Sequence, residues 1–149
     1  MAANTAPIYT KSPKASSVDI TAANTVSTGT GTIGVDLFLA FTAGAEGSYV
    51  QNVVFQPVAS VAGTNTAASV LRAYLSTQGA GVTVGGTDTF LLGELSAPVQ
   101  SADNATTGTY PWELTIEKAL PPGSHILVSS HAAPAANTTF QATVFGGDY

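Results

Sequence analysis

The chain has 149 residues, no cysteine and a net charge of −5, from nine Asp and Glu against four Lys and Arg. Charged residues make up 9% and Ala, Thr, Gly and Ser fill 73 of 149 positions, against a usual charged share of ~25%. This excludes a coiled coil, a charge-rich disordered tail, a basic nucleic-acid binder, a disulfide scaffold, a thiolate zinc site and a Cys nucleophile. The length is that of one ordinary domain. No run approaches the ~18 to 20 apolar residues of a membrane helix. Residues 1–15 are too polar for the core of a secretion signal, so synthesis in the cytoplasm is expected.

Residues 1–15, MAANTAPIYTKSPKA, hold two prolines, two lysines and no apolar periodicity, and are expected to form an extended arm ahead of a domain over 16–149. Stretched out, such an arm reaches ~50 Å. Lys11 and Lys14 lie in it, whereas the remainder carries all nine acids and only Arg72 and Lys118. The arm is basic and the body acidic. Either it is a frayed terminus, or it ties the body to a neighbour, with Pro7, Ile8 and Tyr9 as the anchor.

From residue 16 onward the pattern is short β segments divided by Gly, Thr, Asn and Pro clusters, with no 3.6-residue apolar stripe. The first strand is expected over 16–21, followed by a turn-prone stretch whose Gly29 and Gly31 permit positive φ. The second covers 33–42, with Val35, Leu37, Leu39 and Phe41 on one face and Asp36, Phe38 and Ala40 on the other, so that both sides are covered. The third, 48–59, alternates Tyr49, Val53 and Phe55 against Val50 and Val54. The fourth, 68–78, points Leu71, Ala73 and Leu75 inward and Arg72 and Tyr74 outward. The Gly-rich stretch 78–86 reads as a mobile loop or one ordered against a partner.

Further strands are expected over 87–97, 110–119, 124–131 and 138–146. Trp112 shares parity with Leu114 and Ile116 and so faces the core. Leu120-Pro121-Pro122-Gly123 is a hairpin signal. Eight strands at this spacing predict an all-β fold: one β-sandwich, most simply a jelly roll.

Searches for chemistry return little. Glu113 and Glu117 lie four apart on a strand, ~13 Å at ~3.3 Å per residue, beyond the ~5 to 9.5 Å of a glycosidase pair. His125 and His131 match no ligand spacing. The glycines at 29, 31 and 34 imitate a dinucleotide fingerprint, but a strand follows where a helix is needed. Asn104 and Asn137 fit the glycosylation sequon and are chance matches in a Thr-rich chain. Neither an enzyme nor a cofactor is expected, nor a metal. A carbohydrate-binding sandwich needs aromatics grouped on one exposed face, for which Tyr49, Tyr74, Tyr110 and Trp112 are the set. So few charges mean either a Thr-, Ser- and Asn-covered surface or one buried in subunit contacts.

In order along the chain, A-P-I-Y-T-K-S-P, T-A-A-N-T with G-T-G-T, F-T-A-G-A-E-G-S-Y-V, L-P-P-G and the closing V-F-G-G-D-Y resemble small structural proteins from the head modules of tailed bacteriophages. The closest functional counterparts are capsid decoration, or cement, proteins. The resemblance implies a β-rich virion protein on the capsid surface, commonly a trimer where capsomers meet, with the major capsid protein as partner and no catalytic residues. Pro7, Ile8, Tyr9, Lys11 and Lys14 are then the expected capsid or subunit contacts, with Asp148 and Tyr149 at the other terminus. Other virion roles, such as a head fibre base or tail component, share this resemblance.

Overall fold

A computed structural model describes residues 10–102 and 111–149. Ten strands follow one another: β1 (Ser12–Ile20), β2 (Gly31–Thr32), β3 (Phe38–Thr42), β4 (Ser48–Ala59), β5 (Ser69–Ser76), β6 (Thr83–Val84), β7 (Thr89–Ala97), β8 (Trp112–Leu120), β9 (His125–Ser130) and β10 (Thr138–Asp148). No helix occurs among the described residues. Eight strands form two four-stranded antiparallel sheets, β1-β10-β4-β8 (sheet 1) and β3-β9-β5-β7 (sheet 2), and β2 pairs with β6 alone.

This order is that of a long antiparallel ribbon rolled up. With the two short strands set aside, the first long strand pairs with the eighth (β1 with β10) and the second with the seventh (β3 with β9). The third pairs with the sixth (β4 with β8) and the fourth with the fifth (β5 with β7). Rolling the ribbon adds the β10–β4 and β5–β9 pairings, which gives the jelly-roll strand order. The expected fold class therefore holds.

Between the sheets lies the main core, including Ile20, Phe41, Val53, Phe55, Ile126 and Phe140. Trp112 packs against it, edge-to-face on Phe140 at 6.1 Å, as its parity predicts. The outer face of sheet 1 is open and polar: Ser17 and Thr143 share a hydroxyl hydrogen bond of 2.8 Å, and Gln141 donates to Asp19 at 3.3 Å. Period-two alternation with one wet face is the signature of such a sheet.

Sheet 2 is covered on its outer face as well. Tyr74 and Leu127, both fully buried, meet Ile33, Leu37 and Val84 in a second apolar cluster. The cover is built by β2, β6 and their flanks, where Ile33 N–H donates to Val82 O at 2.9 Å and Gly81 N–H donates to Ile33 O at 3.1 Å. The Gly-rich stretch is thus ordered against its own chain. Leu39 packs on this cluster while Phe38 belongs to the main core, so β3 is covered on both sides; Phe41, expected on the Leu39 face, joins Phe38 and Ala40 in the main core because the ladder is irregular between Leu39 and Phe41.

Four details differ from the sequence reading. β1 starts at Ser12, because residues 12–15 pair with β10 from Asp148 to Phe145. The stretch before Phe38 is a turn closed by the N–H groups of Val35, Asp36 and Leu37 on Thr32 O, which leaves Val35 63% exposed. In β4, Gln51 is an extra residue relative to β10, so Val50 and Val53 both reach the core although three apart. Finally, Leu120-Pro121-Pro122-Gly123 turns tightly, with Gly123 at φ 70°, but links β8 of sheet 1 to β9 of sheet 2. It crosses between layers ~10 Å apart and does not close a hairpin.

Candidate functional site

The two chain ends meet at one corner. β1 and β10 are paired edge to neighbour, which brings Lys14 opposite Gly146 and Ser12 opposite Asp148. Lys14 Nζ donates to Thr42 O at 2.8 Å, lies 3.4 Å from Asp148 Oδ2 and sits 4.7 Å above the Phe41 ring. Asp148 accepts a short hydrogen bond from Ser48 Oγ, which in turn accepts from Gly44 N–H at 3.0 Å. The Ser48 hydroxyl, with Lys14 beside it, holds the Asp148 carboxyl below the usual carboxylate range against the opposing effect of burial. Lys11 N–H donates to Asp148 O at 2.9 Å and Tyr149 N–H to Gly47 O at 3.2 Å. Both cations of the arm thus belong to this corner: Lys11 is held by its backbone and Lys14 by its side chain.

The closing Gly146-Gly147 pair has a steric cause. A Cβ on Gly146 would lie 2.3 Å from Tyr49 O, and one on Gly147 would lie 2.8 Å from Ser12 O and 2.7 Å from the Thr10 side chain. Pro7, Ile8 and Tyr9 lie outside the described residues. Of the expected contact residues, Lys11, Lys14, Asp148 and Tyr149 are brought together.

A second surface was not legible beforehand. β7 is the end strand of sheet 2, and its Phe90 and Leu91 are 68% and 37% exposed. Phe90 stands opposite Leu75 and Leu91 opposite Tyr74, so consecutive side chains project from the two faces of the edge. A run Thr-Phe-Leu-Leu-Gly announces a strand, but only the strand order reveals that it ends a sheet. Beside it lies a shallow cavity of about 380 Å³ lined by Leu75, Ser76, Asp88 and Phe90 among others.

The remaining candidates are occupied. Glu113 accepts from Asn52 Nδ2 at 2.6 Å, and Glu117 sits in a bulge of β8 at φ 49°. His125 pairs through Nδ1 with Thr42 Oγ1 at 3.0 Å, and burial lowers its pKa. His131 lies beyond the opposite end of β9. Arg72, expected to face outward, is buried: its Nε donates to Glu94 at 2.9 Å and its Nη1 to Asn24 O at 3.5 Å. Tyr74 is buried too, which removes it from the aromatic set a glycan-binding face requires. Among the described residues no three His, Cys, Asp or Glu are grouped to hold a metal, and no helix is long and apolar enough to cross a membrane.

No family model matches the sequence, and no curated protein does. Among solved structures, the chain is similar to one in the cyanophage Pam1 capsid asymmetric unit, at 14% identity over 97% of this chain and 92% of that one, with a TM-score of 0.42. It is also similar to a chain in the structure of infectious bursal disease virus Gt strain, at 14% identity over 99% of this chain and 35% of that one, with a TM-score of 0.29. Neither likeness is close enough to assign a role.

Proposed function

We propose that this chain is a virion structural protein, a capsid decoration protein that binds the outside of an assembled phage head and stabilises it. The observation that carries this reading is the surface: a jelly roll with 9% charged residues that leaves Val35, Phe90, Val99 and Phe145 exposed. Depletion of charge with aromatic and aliphatic groups left outside is the chemistry of subunit contact. The ordered motifs that resemble phage head-module proteins support the same role. Two of them have structural work in this fold, L-P-P-G crossing between sheets and V-F-G-G-D-Y pairing with β1 at the corner where Lys11 and Lys14 lie.

In this reading the partners are the major capsid protein and further copies of the chain, in a trimer where capsomers meet, and the arm and the Asp148–Tyr149 corner contact neighbouring subunits. Binding the assembled shell and not its free parts stabilises the shell by mass action. The test is co-sedimentation of purified chain with heads stripped of it, for the full-length protein and for a version lacking residues 1–10. The cut must stop there, since Ser12 already pairs in sheet 1. Full-length protein is expected to sediment with the heads and the shortened one to stay in solution. Equal binding by both overturns the role of the arm; binding by neither overturns the head role.

A further inference from the structure

The connection from β5 to β7 ends in a turn that closes on itself. Gly85 N–H donates to Asp88 Oδ2 at 2.9 Å, and Asp88 N–H donates to Gly85 O at 3.0 Å. These two bonds fix the carboxylate by one oxygen and leave Oδ1 without a partner among the described residues. Thr89 Oγ1 donates to Thr28 O at 2.8 Å, which pins the next residue to the stretch that covers sheet 2. Phe90 follows and is 68% exposed. Asp88 and Phe90 line the shallow cavity of about 380 Å³ together with Leu75, Thr77 and Thr87. Thr77 and Thr87 are exposed, and their hydroxyls make no hydrogen bond to the described chain. An apolar ring, an open carboxylate oxygen and two open hydroxyls therefore share one cleft.

We propose that this cleft binds a neutral hexopyranose, free or at the end of a glycan. Such a sugar has a face of C–H groups and a rim of hydroxyls that both donate and accept. Phe90 offers a flat apolar surface to the face. Asp88 Oδ1 accepts from the rim, and the two Thr hydroxyls donate or accept as the sugar requires. A hydrogen bond to an ionised acceptor is the strong kind, so Asp88 sets the orientation of the ring. The cavity is near the lower end of the ~300 to 1,000 Å³ usual for small-ligand sites, which suits a sugar and not a long chain.

Charge narrows the ligand class. No Lys or Arg lines the cavity, so Asp88 repels phosphate, sulfate and acidic sugars. A quaternary ammonium also suits a carboxylate beside a ring, but such cations are held in cages of several aromatics, and Phe90 is the one aromatic residue lining this cavity. Reach keeps residues 103–110 away from the cleft. Ser101 pairs with Asn65 beyond the Ala97–Ser69 end of the β5–β7 ladder, and Phe90 lies ~23 Å before Ala97 along β7. The return point, Trp112, precedes Leu114, which lies over Gly93, another ~16 Å from Phe90. The stretch between spans ~30 Å at full extension, too short to run to Phe90 and back.

The site belongs to the single chain and does not rest on the virion reading. Isotope-labelled full-length protein is titrated with the methyl glycosides of glucose, galactose and mannose, and with choline chloride, while its amide signals are followed by NMR. At least one glycoside is expected to move the Thr87, Asp88 and Phe90 signals saturably, with Kd on the order of millimolar, because an open cleft covers one face of its ligand. Phe90→Ala and Asp88→Asn should each weaken this binding about tenfold. Phe90→Tyr, which keeps the ring, and Phe145→Ala, an exposed aromatic outside the cleft, should leave it unchanged. An unchanged far-ultraviolet spectrum confirms that each variant is folded. No saturable shift with any glycoside overturns the inference, as does sugar binding that survives both Phe90→Ala and Asp88→Asn. Saturation by choline in place of the glycosides overturns it too and gives the cleft to cations. Head binding is scored separately: heads bound without sugar binding overturn the cleft alone, and sugar bound without head binding overturns the virion role alone.

Discussion

Single positions in this chain are set by close approach and by a few charges. Gly146 lies against a backbone carbonyl of β4, one of the two inner strands of sheet 1, which cannot move aside. Gly146→Ala is expected to lower stability by ~1–3 kcal/mol, the usual cost of forcing atoms into packed space, read as a shift of the urea midpoint. Gly85→Ala is the control, because its Cβ would find only Asp88 at 3.7 Å, and it is expected to stay within ~0.5 kcal/mol of the parent. Among the described residues, the two titrating groups with displaced pKa values act in the same direction. Asp148 is held low chiefly by Ser48, and His125 is held low by burial. In each case the unfolded chain binds the proton at higher pH than the folded one, so stability is full above the unfolded value and falls as pH drops through the folded one. Melting temperature is therefore expected to decline first below ~6.5 and again below ~4, the ordinary values of the two side chains. Asp148→Asn should flatten the second limb alone. An acid limb unchanged by Asp148→Asn would mean that the corner contributes nothing to folding.

At the level of elements, the cover over sheet 2 makes the largest difference between what period-two patterning conveys and what the protein does with it. Alternation in β5 correctly sends Arg72 and Tyr74 to the side opposite Leu71 and Ala73. It carries no information on whether that side is wet, because the cover comes from elsewhere: Ile33 and Leu37 read as part of the second strand and Val84 as part of a loop. Tyr74→Ala is expected to cost ~3–5 kcal/mol, the range for deleting a fully buried aromatic ring. A cost under ~1 kcal/mol, in the range of surface substitutions, would show that the cover does not pack on sheet 2. The eight long strands are readable in the sequence, since Thr, Val and aromatic runs bounded by Gly and Pro leave little choice, whereas the two-residue β2 and β6 lie in stretches that read as turn and loop. Parity failed in β4 for a local reason, as the extra Gln51 realigns Val50 with Val53. The terminal corner joins residues 134 apart in sequence, a proximity that only the strand order creates. That β7 ends sheet 2 among the described residues was hidden for the same reason.

For the whole molecule, the proposed role of residues 1–9 as a subunit contact sets an expected mass in solution. If residues 1–9 serve a neighbouring copy, full-length protein is expected to scatter light as three chains, about 45 kDa from 14.9 kDa each, and the version lacking residues 1–10 as one chain with an unchanged far-ultraviolet spectrum. The unchanged spectrum follows from the ladder, because β1 keeps all its pairs with β10 from Ser12 onward. A full-length mass of one chain at every concentration tested would leave no trimer to dock on a shell and would confine contacts of the arm to the particle surface. A three-chain mass that survives removal of residues 1–10 would put the trimer contact on the body and take it away from the arm.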